Sequence, residues 1–100
     1  MNEPSIPDGG WTFLTNHSHV LICLTRDPNM RLRDIADTVG ITERSVQGIV
    51  NDLEAAGCIT RYREGRRNRY SIAGDRPMRH RVERGHLVGE LLDVMAPADG

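Results

Sequence analysis

Two short apolar stripes separated by a tight turn restrict the fold of this chain more than any other feature of its sequence. Both follow the spacing i, i+3, i+4, i+7, which gathers apolar side chains on one face of an α-helix. The first lies in "RLRDIADTVG" and consists of Leu32, Ile35, Ala36 and Val39. The second lies in "ITERSVQGIVNDLEAAG" and consists of Val46, Ile49, Val50 and Leu53. The sequence therefore predicts two consecutive amphipathic helices, with Gly40 at the turn between them and Ile41 at their junction.

Two more helices are expected, one on each side of this pair. A first helix over residues 16–26 contains the run "VLICL", which is apolar almost all round and is typical of a helix covered by others. Thr15 or Asn16 can cap its start. A last helix is expected from Val82 to Met95, because apolar residues form a broad surface through that segment.

The segment after Gly57 changes from a helical to an extended pattern. Ile, Thr and Tyr alternate with charged residues in "CITRYRE" and "RYSI", and these two runs flank "GRRN". This arrangement predicts a β-hairpin with its tip near residues 65–68. The run "MRL" at residues 30–32 is expected to add a brief third strand. The fold class is therefore mainly α with a small β-hairpin.

The chain is expected to form one domain with short additions at both ends. Residues 1–15 are predicted to be a flexible segment with a short apolar anchor, because Pro, Gly and polar residues dominate the first ten positions. Residues 16–72 hold the helices and the hairpin. Residues 73–81 are predicted to be a linker, and residues 82–96 a separate C-terminal helix.

Positive charge is concentrated in one block, although the formal net charge is only -1. Residues 61–84 contain nine Arg against three acidic residues, whereas residues 1–60 contain four Arg against eight. A basic block of this kind is typical of a surface that binds phosphate groups.

The sequence contains no sign of a membrane span or of export. No apolar run approaches the length of a membrane helix, and no charged leader precedes an apolar segment. A cytoplasmic location is therefore expected. Cys23 and Cys58 both lie in apolar surroundings and are expected to be buried thiols rather than a disulfide framework.

The stretch "LRDIADTVGITERSVQGIVNDLEAAGCITRYREGRRNRYSI", with the helix before it, resembles a winged helix-turn-helix domain of the MarR and ArsR type. It is closer to the MarR type in its helix-turn-helix and hairpin sequences, and the resemblance covers about residues 16–72. One departure is Arg33, which stands where such sequences often place a Ser or Thr cap. The resemblance implies a prokaryotic transcriptional regulator that binds double-stranded DNA, with the hairpin as its wing.

The third helix is expected to be the recognition helix, since only the face opposite its apolar stripe can meet base edges in the major groove. Arg44, Ser45 and Gln47 are the first choices, because such helices read mainly with their N-terminal half. Gly48 costs the helix about 1 kcal/mol relative to Ala, which indicates the close approach of DNA or of an adjacent helix. The predicted DNA contacts here are Thr42, Arg44, Ser45, Gln47, Gly48 and Asn51.

The wing is expected to add affinity more than sequence preference. Arginines at its tip and along its sides can contact phosphate or enter the minor groove. Tyr70 and Ile72 alternate with them and are predicted to pack inward. The predicted DNA contacts on the wing are Arg61, Arg63, Arg66, Arg67, Asn68 and Arg69.

The last helix has an apolar surface with two alternative uses. It can pack back on its own domain, or it can pair with a second copy together with the first helix and "WTFL", which is the use we expect. A two-fold dimer places two recognition helices one DNA turn apart and predicts an inverted-repeat operator. The predicted dimer residues are Trp11, Phe13, Leu14, Leu87, Val88, Leu91, Leu92 and Met95.

Three other functions are less well supported by the sequence. A metal- or ligand-responsive repressor of the ArsR type is one, but neither the cysteines nor the histidines have metal-ligand spacing, so no metal and no cofactor are predicted. A winged-helix module for protein partners is another, but protein interfaces are depleted of charge at their centre. An enzyme is not expected, because no catalytic triad or Gly-rich phosphate loop is present.

Overall fold

The computed structural model describes residues 10–96 and contains, in this range, four α-helices, one short 3-10 helix and one antiparallel hairpin. The bounds are α1 Asn16–Arg26, α2 Leu32–Val39, α3 Glu43–Ala55, β1 Ile59–Glu64, β2 Arg67–Ile72 and α4 Val88–Met95. The predicted fold class, mainly α with a small hairpin, is confirmed. Most of the N-terminal segment predicted over residues 1–15 lies outside the described residues.

Helix α1 is the element around which the others pack. Val20 and Leu24 on this helix are completely buried, and the helix contacts α2, α3, α4 and β2. Its start is capped by the Thr15 hydroxyl, which accepts a hydrogen bond from the Ser18 N–H at 3.5 Å. The apolar run therefore predicted the central position of this helix correctly.

The two predicted stripes both face the core. Ile35 of α2 and Val46 and Val50 of α3 are completely buried. Gly40 ends α2 in a left-handed conformation, with φ +88°. Thr42 then caps α3, because its hydroxyl accepts the Ser45 N–H at 3.0 Å. The tight turn thus contains both the stop of one helix and the start of the next.

The hairpin has a shorter tip than the sequence predicts. Strands β1 and β2 pair from Ile59 opposite Ile72 to Glu64 opposite Arg67, which leaves only Gly65 and Arg66 in the turn. Gly65 has φ +63°, whereas no residue other than glycine in the described range has a positive φ, so the turn matches type II′. Arg67 therefore belongs to β2 and not to the tip.

The third strand predicted at residues 30–32 is wrong. The sheet has two strands within the described range. The Met30 N–H is used in a turn, where it donates to the Asp27 carbonyl at 3.1 Å. In the described range, the one backbone hydrogen bond between the hairpin edge and the chain before α2 is donated by the Tyr70 N–H to the Pro28 carbonyl, at 3.0 Å. A single bond of this kind does not make a strand.

The last helix begins at Val88 and not at Val82 as the sequence predicts. Residues 81–83 form a separate 3-10 helix, and Gly85 follows with φ +92°, a left-handed conformation that interrupts helical geometry. The start of α4 is then defined by Glu90, whose carboxylate accepts the Leu87 N–H at 3.3 Å.

Residues 73–81, predicted as a linker, are held against α4 by backbone hydrogen bonds. The Arg76 carbonyl accepts the Val88 N–H and the Gly74 carbonyl accepts the Gly89 N–H, both at 2.8 Å. The two glycines pack backbone against backbone, because a Cβ placed on Gly89 would lie 2.9 Å from the Gly74 oxygen. Helix α4 is thus docked on the domain through a contact that leaves no room for a side chain.

Both cysteines are buried free thiols, as predicted. Burial raises the pKa of the Cys23 thiol, and the positive charge of Arg26 opposes this rise. Because both thiols are buried away from the reagent, we expect Cys23 and Cys58 in the folded protein to react with Ellman's reagent roughly tenfold or more slowly than in denaturant. Equal rates in the two conditions would contradict their burial.

Candidate nucleic-acid interface

The face of α3 that points away from the core is polar and mostly open. Its exposed residues are Arg44, Ser45, Gly48 and Asn51, and Gln47 is half-buried. Gln47 Nε2 donates to Asn51 Oδ1 at 3.1 Å, so these two side chains are already oriented by each other. Arg44 makes no side-chain hydrogen bond or ion pair with residues 10–96, and its guanidinium is therefore available to a ligand.

Gly48 lies in the middle of this face beside open space. A Cβ placed on it has no heavy atom within 4 Å apart from its own helix and chain neighbours. An adjacent helix, one of the two reasons expected for this glycine, is therefore absent from the described part of the chain.

Arg61 holds the base of the hairpin against α3. Its Nη2 lies 2.8 Å from Glu54 Oε1 and 3.3 Å from Asn51 Oδ1. Its guanidinium carbon lies 6.0 Å from the centre of the Tyr70 ring. These contacts give Arg61 a structural role and link the hairpin to Asn51 on the open face of α3.

The remaining arginines of the hairpin differ in whether their side chains make hydrogen bonds within the domain. Arg63 Nε donates to the Gly65 carbonyl at 3.0 Å, and Arg67 Nη2 donates to the Asn29 carbonyl at 2.5 Å. The hairpin arginines that are exposed and make no side-chain hydrogen bond or ion pair with residues 10–96 are Arg66 and Arg69.

A cleft of about 450 Å³ lies between the start of α2 and the hairpin. Its wall includes the predicted residues Arg66, Arg67 and Asn68, and also Arg31 and Arg33, which the sequence did not identify as site residues. The available signal was the pair of arginines in "RLR" at a helix start without a Ser or Thr cap.

A scan against family models decides the class of this fold. Residues 14–60, which contain α1, α2 and α3, match the family of winged helix-turn-helix DNA-binding domains. This part of the chain is similar to winged helix-turn-helix DNA-binding domains. The winged helix fold expected from the sequence is confirmed, and the β1–β2 hairpin follows the matched helices in the position of a wing.

Two solved structures share the winged helix fold of this chain. MepR, a transcription regulator of the Staphylococcus aureus multidrug efflux pump MepA, is 24% identical with a TM-score of 0.51, over 58% of this chain and 45% of MepR. The Mycobacterium tuberculosis MarR family protein Rv2887, in complex with salicylic acid, is 22% identical with a TM-score of 0.50, over 60% of this chain and 47% of Rv2887. The alignments therefore cover less than half of either regulator. No curated protein matched the chain significantly.

The predicted dimer residues do not all lie on one open surface. Val88 and Leu92 are 8% and 5% exposed and belong to the core of the winged helix domain itself, so the prediction is corrected for these two. The reason is that α4 is short and uses its apolar face against α1. Leu14 and Leu91 are half-buried. The exposed members of the set are Trp11, Phe13, Leu87 and Met95.

Two histidines of the domain pair with carboxylates. His17 Nε2 lies 2.8 Å from Asp52 Oδ2, and His86 Nδ1 lies 2.6 Å from Glu90 Oε1. The hydrogen bond from His86 lowers the pKa of the Glu90 carboxyl.

Within residues 10–96 no group of three or more His, Cys, Asp and Glu side chains is placed to hold a metal ion. No helix in the same range is long and apolar enough to cross a membrane.

Proposed function

We propose that the protein is a cytoplasmic prokaryotic transcriptional regulator that binds double-stranded DNA sequence-specifically as a homodimer. The observation that supports this most strongly is the open polar face of α3 beside the exposed wing arginines, on a domain of the winged helix-turn-helix DNA-binding family. Helix α3 lies in the major groove, and the wing contacts the backbone or the adjacent minor groove.

Sequence reading is assigned to the N-terminal half of α3. Arg44 is free to form the paired hydrogen bonds that guanine accepts, and Gln47 offers the donor and acceptor that adenine requires. Thr42 and Ser45 lie at the start of the helix, where N–H groups and a positive dipole favour a phosphate. The open space beside Gly48 allows the DNA to approach the helix backbone closely.

The homodimer is supported by apolar side chains left outside the core. Trp11 and Phe13 are 76% and 90% exposed, and their rings meet edge to face with centroids 4.9 Å apart. Val94 and Met95 at the end of α4 are exposed as well. Side chains of this size are expected to be covered by a partner. A two-fold pair gives an inverted-repeat operator.

A ligand-responsive regulator is a second candidate, because the domain has a larger groove away from the DNA face. This groove has a volume of about 780 Å³ and lies between α1, the end of α3 and the segment that leads into α4. Leu21 and Met78 contribute apolar surface, and His17 and Arg76 stand among the polar lining residues. A thermal-shift screen of small organic acids in which none raised the unfolding midpoint would remove this candidate.

Selection from random duplexes tests the proposed function. The full chain is bound to a library at low and at moderate salt, and the retained sequences are determined. We expect an enriched inverted repeat and an affinity that falls steeply with salt. Weak, salt-insensitive binding without an enriched motif would contradict the proposal.

The wing arginines are expected to act through phosphate. Replacing Arg66 and Arg69 with Ala should weaken binding to all duplexes similarly, and the log-log salt slope should become less negative by about 1 per lost contact. Salt titrations of the selected duplex and of a scrambled duplex measure this. Arg81→Ala with Arg84→Ala is the control, because it removes the same charge outside the wing. Loss of binding to the selected duplex alone would assign the wing to base reading instead.

A further inference from the structure

A continuous set of side-chain hydrogen bonds runs from the base of the wing to the open face of α3. Arg61 Nη2 donates to Glu54 Oε1 at 2.8 Å and to Asn51 Oδ1 at 3.3 Å. The same Asn51 oxygen accepts from Gln47 Nε2 at 3.1 Å. Gln47, Asn51 and Glu54 follow the spacing i, i+4, i+7, so they lie in one row along the helix. We call these four residues the Arg61 network.

The hairpin itself holds Arg61 in place at one end of this network. Arg61 lies directly opposite Tyr70 in the pairing of β1 with β2. Its guanidinium carbon is 6.0 Å from the centre of the Tyr70 ring, and Tyr70 is buried. The Arg61 side chain is only 27% exposed. The guanidinium is therefore oriented by the domain and does not need a bound duplex to reach this position.

Arg61 determines which way round the Asn51 amide lies. A guanidinium has N–H donors and no acceptor, so the Asn51 atom that faces it must be the oxygen. Arg61 and Gln47 together use both lone pairs of this oxygen. The exposed Asn51 amide is therefore left with N–H donors alone for a ligand.

The same constraint passes from Asn51 to Gln47. Because Asn51 presents an acceptor, the Gln47 atom beside it must be the amide nitrogen, and one of the Gln47 N–H hydrogens is used there. Gln47 Oε1 and the second N–H hydrogen make no hydrogen bond within residues 10–96. Gln47 thus keeps one acceptor and one donor, which match the N6 amino group and the N7 atom of adenine.

We propose that Arg61 is a positioning residue for base reading, which orients the amides of Asn51 and Gln47 on α3. Gln47 then reads adenine, whereas Asn51 donates to an edge that offers acceptors, such as O6 and N7 of guanine or O4 of thymine. The inference rests on the proposed function, in which α3 lies in the major groove. Through Arg61 the wing contributes to sequence preference without contacting a base.

Two single variants that change the charge in opposite directions separate positioning from electrostatics. Arg61→Ala removes a positive charge, and Glu54→Ala removes a negative charge from the same network. If Arg61 acted on phosphate alone, the first variant would weaken binding to all duplexes and the second would strengthen it, with base preference unchanged. A positioning role lowers base discrimination in both variants. We expect a loss of about tenfold in Arg61→Ala and a smaller loss in Glu54→Ala.

Competition binding of duplexes substituted at each operator position measures this discrimination. The position at which Gln47→Ala loses preference identifies the base pair that Gln47 reads, and we expect adenine there. Adding Arg61→Ala to Gln47→Ala should cause no further loss of discrimination at that position, because both substitutions remove the same interaction. Arg81→Ala is the control, since it removes the same charge outside α3 and the wing.

Magnetic resonance spectra of the isotope-labelled full chain without DNA test the network itself. The side-chain amide signals of Asn51 and Gln47 should shift in Arg61→Ala and stay in place in Arg81→Ala. A wild-type protein that selects no sequence would contradict the proposed function. Where the wild type does select a sequence, the positioning role alone is overturned if Arg61→Ala keeps the wild-type base discrimination or leaves both amide signals unshifted.

Discussion

Gly89→Ala lowers the free energy of unfolding by about 1–3 kcal/mol in our expectation, because the added methyl group overpacks a backbone contact. Its Cβ would lie 2.9 Å from the Gly74 oxygen, and backbone atoms on both sides leave no flexible side chain to move away. The hydrogen bond from the Gly89 N–H to that oxygen is then strained as well. Urea unfolding monitored by circular dichroism measures the change.

Gly48→Ala provides the matched control for this substitution. It also replaces a helical glycine, but in open space, so the better helix propensity of Ala should raise the free energy of unfolding by about 0.5–1 kcal/mol. The two substitutions are therefore predicted to have opposite signs. If both stabilised the protein, the contact between α4 and residues 73–81 would not be as close as described.

Arg44→Ala is expected to cost about 1–3 kcal/mol of discrimination at one base pair of the operator, because a free guanidinium on α3 is assigned to the paired acceptors of a guanine. The affinity for duplexes that already carry another base at that position should change little. Competition binding of duplexes substituted at each operator position measures this. Arg84→Ala, far along the chain from α3 and the wing, is the control.

A different outcome of the Arg44 experiment would change the assignment. If Arg44→Ala weakened binding to all duplexes equally and reduced the salt slope, Arg44 would be assigned to a phosphate contact. Base reading would then be assigned to Gln47 and its partner Asn51. The same variant should unfold at the wild-type urea concentration, because the Arg44 side chain has no partner in the described part of the domain.

The elements that local sequence could predict are those whose signal lies within one turn or one strand. Each apolar stripe lies within one helix, the stripe at 32–39 in α2 and the stripe at 46–53 in α3. Apolar spacing alone therefore predicted which face of each helix points to the core. The start of α4 was not predicted, because the left-handed conformation of Gly85, which interrupts helical structure between Val82 and Leu87, has no signal in the apolar pattern. The supposed strand at residues 30–32 failed for a similar reason, since local β propensity is overridden by a turn and a helix start.

The site was predicted less completely than the fold, because side-chain partners come from distant positions. Arg61 is a predicted DNA contact, and its Nη2 also bonds to Glu54 and Asn51 of α3, partners that the sequence did not predict. Arg31 was overlooked because its cleft is formed only when the wing lies near the start of α2 in the folded chain. Val88 and Leu92 were assigned to a partner, but these two side chains of α4 are buried within the domain, whereas Val94 and Met95 are exposed.

Methylation protection on the selected duplex tests the central claim, that α3 reads the major groove, most directly. Dimethyl sulfate modifies guanine N7 in the major groove and adenine N3 in the minor groove, so one experiment reports both contacts. We predict that the wild-type protein protects guanine N7 in two patches about 10 base pairs apart. In the Arg44→Ala variant, one guanine in each half-site should lose this protection. Saturating protein that leaves every guanine N7 open to methylation would contradict this account.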